Sequence, residues 1–272
     1  MNGEIHHMTH GLPGTFTVID GLDGIGKGEV LKAIALYLES LGMRVFNVED
    51  YWQTNHIHPE FERRTHGKRF NTAFFNLDDF DVLLTSEPTH TGIGRQIRYE
   101  MIANNGRSYS AHATAEAYAL DRLILYKRVL LPALRAGKHI IQGRSFSTSI
   151  VYQRMQAQEQ HERLALEEIM GLEGNAFALQ YAPDLLIIPT IKDVTDITKR
   201  LEGRDKRDDA MFETLPFQLQ LKPFYEGAEL REIFEQQGTR VEYIDAGISV
   251  AATRQQAVEV YWKVLGDRIR AR

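Results

Sequence analysis

The sequence contains no cysteine, so disulfides and thiolate metal sites are excluded. Long hydrophobic runs are also missing. The longest, such as Leu185 to Pro189, are strand-sized and far too short to cross a bilayer. Neither charge dominates: 32 Lys and Arg face 37 Asp and Glu, so no whole-surface attraction to nucleic acid or anionic membrane is expected. No repeat, low-complexity tract or linker divides the 272 residues, which points to one domain. These absences suggest a cytoplasmic protein without nucleic-acid or membrane partners, catching small anions with loops and a few arginines.

What is present alternates. Thr15 to Asp20 is a β-branched run ending at a glycine turn. Val30, Leu31, Ile34, Ala35, Leu38 and Leu41 then recur at helical spacing up to Gly42. Arg44 to Val48 reads as a second strand, completing a βαβ unit and implying a parallel sheet. Further strands are expected at Asp81–Thr85, Lys138–Gln142, Asp184–Pro189 and Arg240–Ile244. Helices are expected over 94–103, 113–135, 147–155, 163–179, 193–201, 217–236 and 251–268. The fold class is therefore α/β, a doubly wound parallel sheet with helices on both faces.

Two segments break the pattern. Residues 1–14 are polar, carry His6, His7 and His10, and read as a mobile tail ahead of a single domain over 15–272. Residues 49–79 interrupt the alternation with Trp52, His56, His58 and His66 and read as a surface insertion. His56 and His58 would share a strand face, but no carboxylate pattern nearby supports a metal site.

The segment Gly21-Leu22-Asp23-Gly24-Ile25-Gly26-Lys27-Gly28 carries the chemistry. Glycines let the backbone wind so that N–H groups face phosphate oxygens, the following helix adds its positive end, and Lys27 neutralises charge. Strand before and helix after is the setting of a phosphate-binding P-loop. Gly21, Gly24, Ile25, Gly26, Lys27, Gly28 and Glu29 are its expected ATP contacts. The Ser or Thr that usually follows the lysine and holds Mg²⁺ is Gly28 here, and Glu29 comes next. That carboxylate either holds a hydrated metal or favours the helix's first turn. No guanine-reading Asn-Lys-x-Asp is present, and Lys138–Gln142 runs into Gly143-Arg144 without an acid.

Several segments, in order, resemble the thymidylate (dTMP) kinase family. Asp20 to Lys27 is similar to its phosphate loop, and Thr85-Ser86-Glu87-Pro88-Thr89-His90-Thr91 to its Thr-Arg-Glu-Pro-Gly-Gly-Thr. Gly94-Arg95-Gln96-Ile97-Arg98 resembles its Gly-x-x-Ile-Arg, and Tyr118-Ala119-Leu120-Asp121-Arg122 its Phe-Ala-x-Asp-Arg. Arg144-Ser145, Ser149 and Tyr152-Gln153 follow its Asp-Arg-Tyr…Ser…Tyr-Gln. The resemblance implies a P-loop kinase, with ATP and Mg²⁺ as cofactors, that makes dTDP from dTMP. A homodimer is the partner the family suggests.

It also implies roles. Tyr118 would stack on the base, Arg122 would donate to the base's carbonyl edge, and Arg144 would clamp the acceptor 5′-phosphate. Asp23 would touch the deoxyribose hydroxyl, while Glu87, Ser149, Tyr152 and Gln153 would complete the acceptor pocket. Arg200, Arg204 and Arg207 fall in a lid at about 200–213; with no basic residue between Gly21 and Gly26, that lid must supply the catalytic charge. Ser86, Gly143 and Gly28 depart from the family pattern, so no metal ligand is assigned. A deoxynucleoside kinase, a kinase of a modified pyrimidine nucleotide and a non-catalytic nucleotide-binding relative remain the alternatives.

Overall fold

Six parallel strands form the sheet in the order β2-β3-β4-β1-β5-β6. They are β1 (Thr15–Ile19), β2 (Val45–Asn47), β3 (Val82–Ser86), β4 (His139–Gly143), β5 (Leu185–Thr190) and β6 (Arg240–Asp245). The computed structural model describes residues 9–61, 74–197 and 214–270. β1 and β3 are buried along their whole length, as apolar strands covered on both faces should be. Every expected strand is present, with its ends shifted by no more than about a residue.

One face is covered by α1 (Lys27–Ser40) and the helix Val250–Arg270. Val30, Ile34 and Leu38 meet Ala257, Tyr261 and Leu265 there over Ile19, Ile141 and Ile187. On the other face lies the larger core, where Tyr126, Leu130 and Leu134 pack with Phe16, Val18 and Ile140. With each fully buried aliphatic side chain contributing about 1.5–3 kcal/mol, these two layers hold the sheet's carboxyl edge in place.

Several expectations are corrected. The stretch read as a helix over 163–179 is two helices, Leu166–Gly171 and Glu173–Gln180, because Leu172 takes an extended ψ of 133°. The one read over 217–236 breaks at Gly227 into Leu215–Glu226 and Ala228–Glu235. The helix expected over 193–201 is described only as far as Ile197. The tail is packed from its described start: His10 is 8% exposed and its Nε2 lies 3.2 Å from Asp184 Oδ2. His6 and His7 lie outside the described residues.

The insertion also joins the core where it is described. Its helix α2 (Val48–Asn55) buries Trp52 completely, and Phe46, Tyr51, Phe61, Phe75 and Phe80 form an aromatic cluster beside edge strand β2. Phe46 stacks on Phe80 at 4.6 Å between centroids. His58 packs edge-on against Trp52, and burial pushes its imidazole down to about 3, so it stays neutral at ordinary pH. His66 lies outside the described residues.

The helix α4 (Ala111–Leu125), which carries Tyr118, Asp121 and Arg122, runs against Glu173–Gln180 at unusually short range. A Cβ on Gly174 would stand 1.7 Å from Ala119 O, a backbone atom that cannot yield without moving α4. Gly174→Ala is therefore expected to lower unfolding free energy by at least about 1–3 kcal/mol. Urea unfolding of the two proteins checks this, and coincident midpoints would show that the helices are not in such close contact.

Candidate active site

The loop after β1 is set by left-handed glycines, Gly24 at φ 77° and Gly26 at φ 104°, which a side chain would strain. Gly26 makes no side-chain cap to α1, so the first-turn N–H groups, including that of Gly28, remain directed at the loop mouth. Lys27 folds back over the loop, donating to Gly21 O and Leu22 O at 2.8 Å each. Burial, with Arg144 adding to it, pushes the ammonium down to about 8 while Asp23 pulls the other way. The Ile25 side chain is in the core at 2% exposure, so any contact with phosphate comes from its backbone alone.

Arg144, just past β4, approaches the same loop. Its N–H donates to Ile19 O at 2.8 Å, and its φ of 65° lies in the left-handed region. Its guanidinium forms an ion pair with Asp23 and lies 5.7 Å over the Tyr152 ring. Asp23 also accepts from the Tyr152 hydroxyl at 2.8 Å and lies 3.5 Å from Lys27 Nζ. Burial would raise this carboxyl, but Arg144, Lys27 and Tyr152 outweigh it and hold Asp23 well below the usual carboxylate range. Asp23, Lys27, Arg144 and Tyr152 are thus brought together as one cluster.

Sequence reasoning missed two supports of this cluster. Gln218 accepts from the Asp23 N–H at 2.8 Å, and Tyr225 donates to Asp20 at 3.1 Å; both come from Leu215–Glu226, a helix with no motif. Asp20 is fully buried and also accepts from Gly21 N–H, Ser147 and Thr148, at 2.8, 2.5 and 2.7 Å. It fixes the loop to the segment after Arg144 and was legible only as part of the motif.

The acceptor side is built on a second buried pair. Arg122, fully enclosed, donates from Nε to Glu87 at 2.9 Å, with Nη2 2.6 Å from the same oxygen. Further donors go to Asn175, Ser145 O and Ser149 Oγ. Most donors of this buried guanidinium are thus committed within the protein, and one Nη1 N–H is left for a further acceptor. Ser149 is likewise turned inward, to Arg122. Burial pushes Glu87 up to about 7 although Arg122 pulls it down, and Gln142 Nε2 donates to its other oxygen at 3.1 Å.

Tyr118 is 6% exposed, within electrostatic reach of Arg144 and Arg98, and burial pushes its phenol up to about 12. Gln153 is buried, and its Oε1 has no hydrogen-bond partner, which leaves one open acceptor there. Arg98, quoted in a motif but given no role, donates from Nε to Pro88 O at 2.9 Å and faces Glu49 and Tyr118 electrostatically.

Glu29 lies in the first turn of α1, where a carboxylate favours the helix, and is paired with Arg254, whose Nε donates at 2.9 Å. Arg200, Arg204 and Arg207 lie outside the described residues. For Mg²⁺, no group of three or more acids or histidines converges among the described residues. Gly28 and Gly143 offer no side-chain oxygen, although a Cβ at either meets nothing closer than 3.8 Å. The oxygens of Asp20 and Asp23 are already engaged. These residues do not fit a protein-held Mg²⁺.

No helix among the described residues is long and apolar enough to cross a membrane. Comparison with known proteins agrees with the geometry. Residues 65–264 match the family model described as Thymidylate kinase. The chain is 30% identical to a "Probable thymidylate kinase" of Pyrococcus abyssi over 82% of this chain and 85% of that protein. It is 24% identical to a "Thymidylate kinase" of Nitrosomonas eutropha over 92% and 93% of the two chains. The solved thymidylate kinase of Candida albicans shares the fold, with a TM-score of 0.59 at 17% identity over 92% of each chain. A parallel sheet with a P-loop at its carboxyl edge and these matches agree: the chain belongs to the thymidylate kinase family.

Proposed function

We propose that this protein transfers the γ-phosphoryl group of ATP to dTMP, giving dTDP and ADP. The observation that carries this reading is the Asp23–Lys27–Arg144–Tyr152 cluster, which ties the phosphate loop to the end of β4 and to the helical segment beyond it. The donor phosphates lie against the loop amides and Lys27. An oxygen of the dTMP phosphate forms the new bond to the γ-phosphorus as the bond to the ADP oxygen breaks. Little covalent work falls to the protein, so positioning and neutralisation carry the rate.

Arg144 can turn from Asp23 to the acceptor phosphate, for which a planar fork is suited. Tyr118 supplies the aromatic wall for the base. Gln153 Oε1, buried and open, can accept the N3–H of a thymine. Arg122 acts here as a positioning residue, holding Glu87 and Ser149. The lid arginines Arg200, Arg204 and Arg207 supply the charge that the loop lacks. Mg²⁺ would accompany ATP, held by phosphate and water rather than by this chain.

The decisive assay offers ATP and Mg²⁺ with each nucleoside and monophosphate and separates the products. dTDP from dTMP supports the reading, thymidine turned into dTMP replaces it with a nucleoside kinase, and no turnover leaves a binding protein. Lys27→Ala should cut turnover by about a hundredfold or more, since it removes a charge from the transferring phosphate. Near wild-type rates in that variant would refute the P-loop assignment.

Arg144→Ala and Arg122→Ala should part company. The first is expected to raise the dTMP KM about tenfold or more with a much smaller change for ATP. The second leaves Glu87 buried and unpaired, so it should lower unfolding free energy by about 3–5 kcal/mol. Denaturant unfolding with paired KM measurements checks both; equal effects of Arg144→Ala on the two substrates would remove its acceptor role.

A further inference from the structure

The insertion has no role in anything above, yet its first helix reaches the acceptor loop at both ends. At the amino end Asn47 caps α2, accepting from Glu49 N–H at 3.1 Å and Asp50 N–H at 3.3 Å. That fixes Glu49 in the first turn, where its Oε1 stands 3.3 Å from His90 Nε2. At the carboxyl end His56 takes the left-handed conformation, φ 58°, and its carbonyl accepts from Thr91 Oγ1 at 2.5 Å. Between the two ends Trp52 is completely buried, so α2 cannot shift without leaving a large cavity.

His90 and Thr91 are consecutive residues of the loop that follows β3, and α3 (Gly92–Gln96) starts immediately after them. α3 continues into the turn Ile97–Met101, which carries Arg98. Arg98 lies within electrostatic reach of Glu49, Tyr118 and Arg144. Burial would raise the Glu49 carboxyl, but the His90 contact and the more distant charge of Arg98 outweigh it and hold it below its ordinary range, so it stays a carboxylate at neutral pH. Ser86, the last residue of β3, occupies the place where the family motif has an arginine, so a direct cation is missing there.

We propose that α2 is a wall of the acceptor site and that Glu49 is a positioning residue, setting His90 and Arg98 against the acceptor nucleotide. This rests on the reading that the acceptor binds beside Tyr118 and Arg144. Glu49 does not touch the transferred phosphoryl group; a carboxylate there would repel it. It acts through the loop: its contact with His90 holds the segment whose Pro88 and Thr89 carbonyls accept from Arg98, the cation that stands in for the arginine absent at Ser86.

The test compares wild type with Glu49→Gln, Glu49→Ala, His90→Gln and the double variant Glu49→Gln/His90→Gln. Glu49 is partly exposed, so these variants are expected to fold with unchanged unfolding midpoints. Losing a charge-assisted tie should weaken dTMP binding, read by calorimetry and as KM, about tenfold. ATP affinity should stay unchanged and kcat should fall no more than about threefold. The double variant should be no worse than Glu49→Gln alone, because both remove one interaction. Unchanged dTMP binding in Glu49→Ala overturns the proposal, as does a parallel loss for ATP and dTMP with a lowered midpoint, which marks a purely structural helix. If the wild type binds and phosphorylates thymidine instead of dTMP, the proposed function fails while the same comparison, made with thymidine, still decides the role of Glu49. If neither acceptor binds, both fail.

Discussion

Everything in the site depends on keeping one carboxylate, that of Asp23, charged inside the protein. A buried anion without partners would take up a proton or unfold its surroundings. Three groups from distant parts of the chain prevent this: Lys27 from α1, Arg144 from the end of β4 and Tyr152 from the helical segment beyond it. Meeting that requirement brings the carboxyl ends of β1 and β4 together, and those strands are neighbours in the sheet. Lys27 and Arg144 therefore share one carboxylate, keep a net positive charge between them and stand together at the phosphate loop. A polyphosphate competes with Asp23 for both cations, which is a reason for the site to hold two.

The acceptor pocket repeats this logic with the roles divided differently. Glu87 and Arg122 satisfy each other so fully that the pair is structural. What remains open is an uncharged group, Gln153 Oε1, and an aromatic face, Tyr118. Charged groups are paired within the protein while a neutral amide oxygen is left open. Such a division suits a base that carries no charge and must be told apart by hydrogen-bond pattern and shape. Gly94 shows how tightly the walls are set, since a Cβ there would come within 2.5 Å of Thr89 backbone atoms.

The legibility of the chain followed the range of each interaction. The strands could be read because an apolar β-branched run fully buried in a parallel sheet is its own signal. The phosphate loop could be read because glycine spacing and the following helix are local. The partner of Glu29 could not be read, because Arg254 stands on the last helix, 225 residues away in sequence. The same holds for Arg122: nothing near it announces its bonds to Asn175 and Glu87. Gln218 and Tyr225 face inward from an ordinary amphipathic helix, and Gly174 resembles any helical glycine until α4 is placed beside it. The insertion read as surface because its mixed charge hides Trp52 and the aromatic cluster that docks it.

Arg144 brings these levels together. Its backbone is held in a left-handed conformation that costs a non-glycine residue about 1–2 kcal/mol, and the bond from its N–H to Ile19 O helps to fix it there. That geometry directs the side chain back across the sheet edge, toward the phosphate loop, where it lies over Tyr152 and meets Asp23. A more relaxed backbone after β4 would send the guanidinium elsewhere and leave Asp23 with Lys27 and Tyr152 alone. Gly143 just before it is open around its Cβ position, so the absence of a carboxylate there is not imposed by space. Among the described residues Arg144 has a single carboxylate partner to leave when a phosphate arrives. One partner to exchange is a smaller barrier than two, and where no described acids or histidines converge on a metal the arginine is the charge best placed to follow the phosphate.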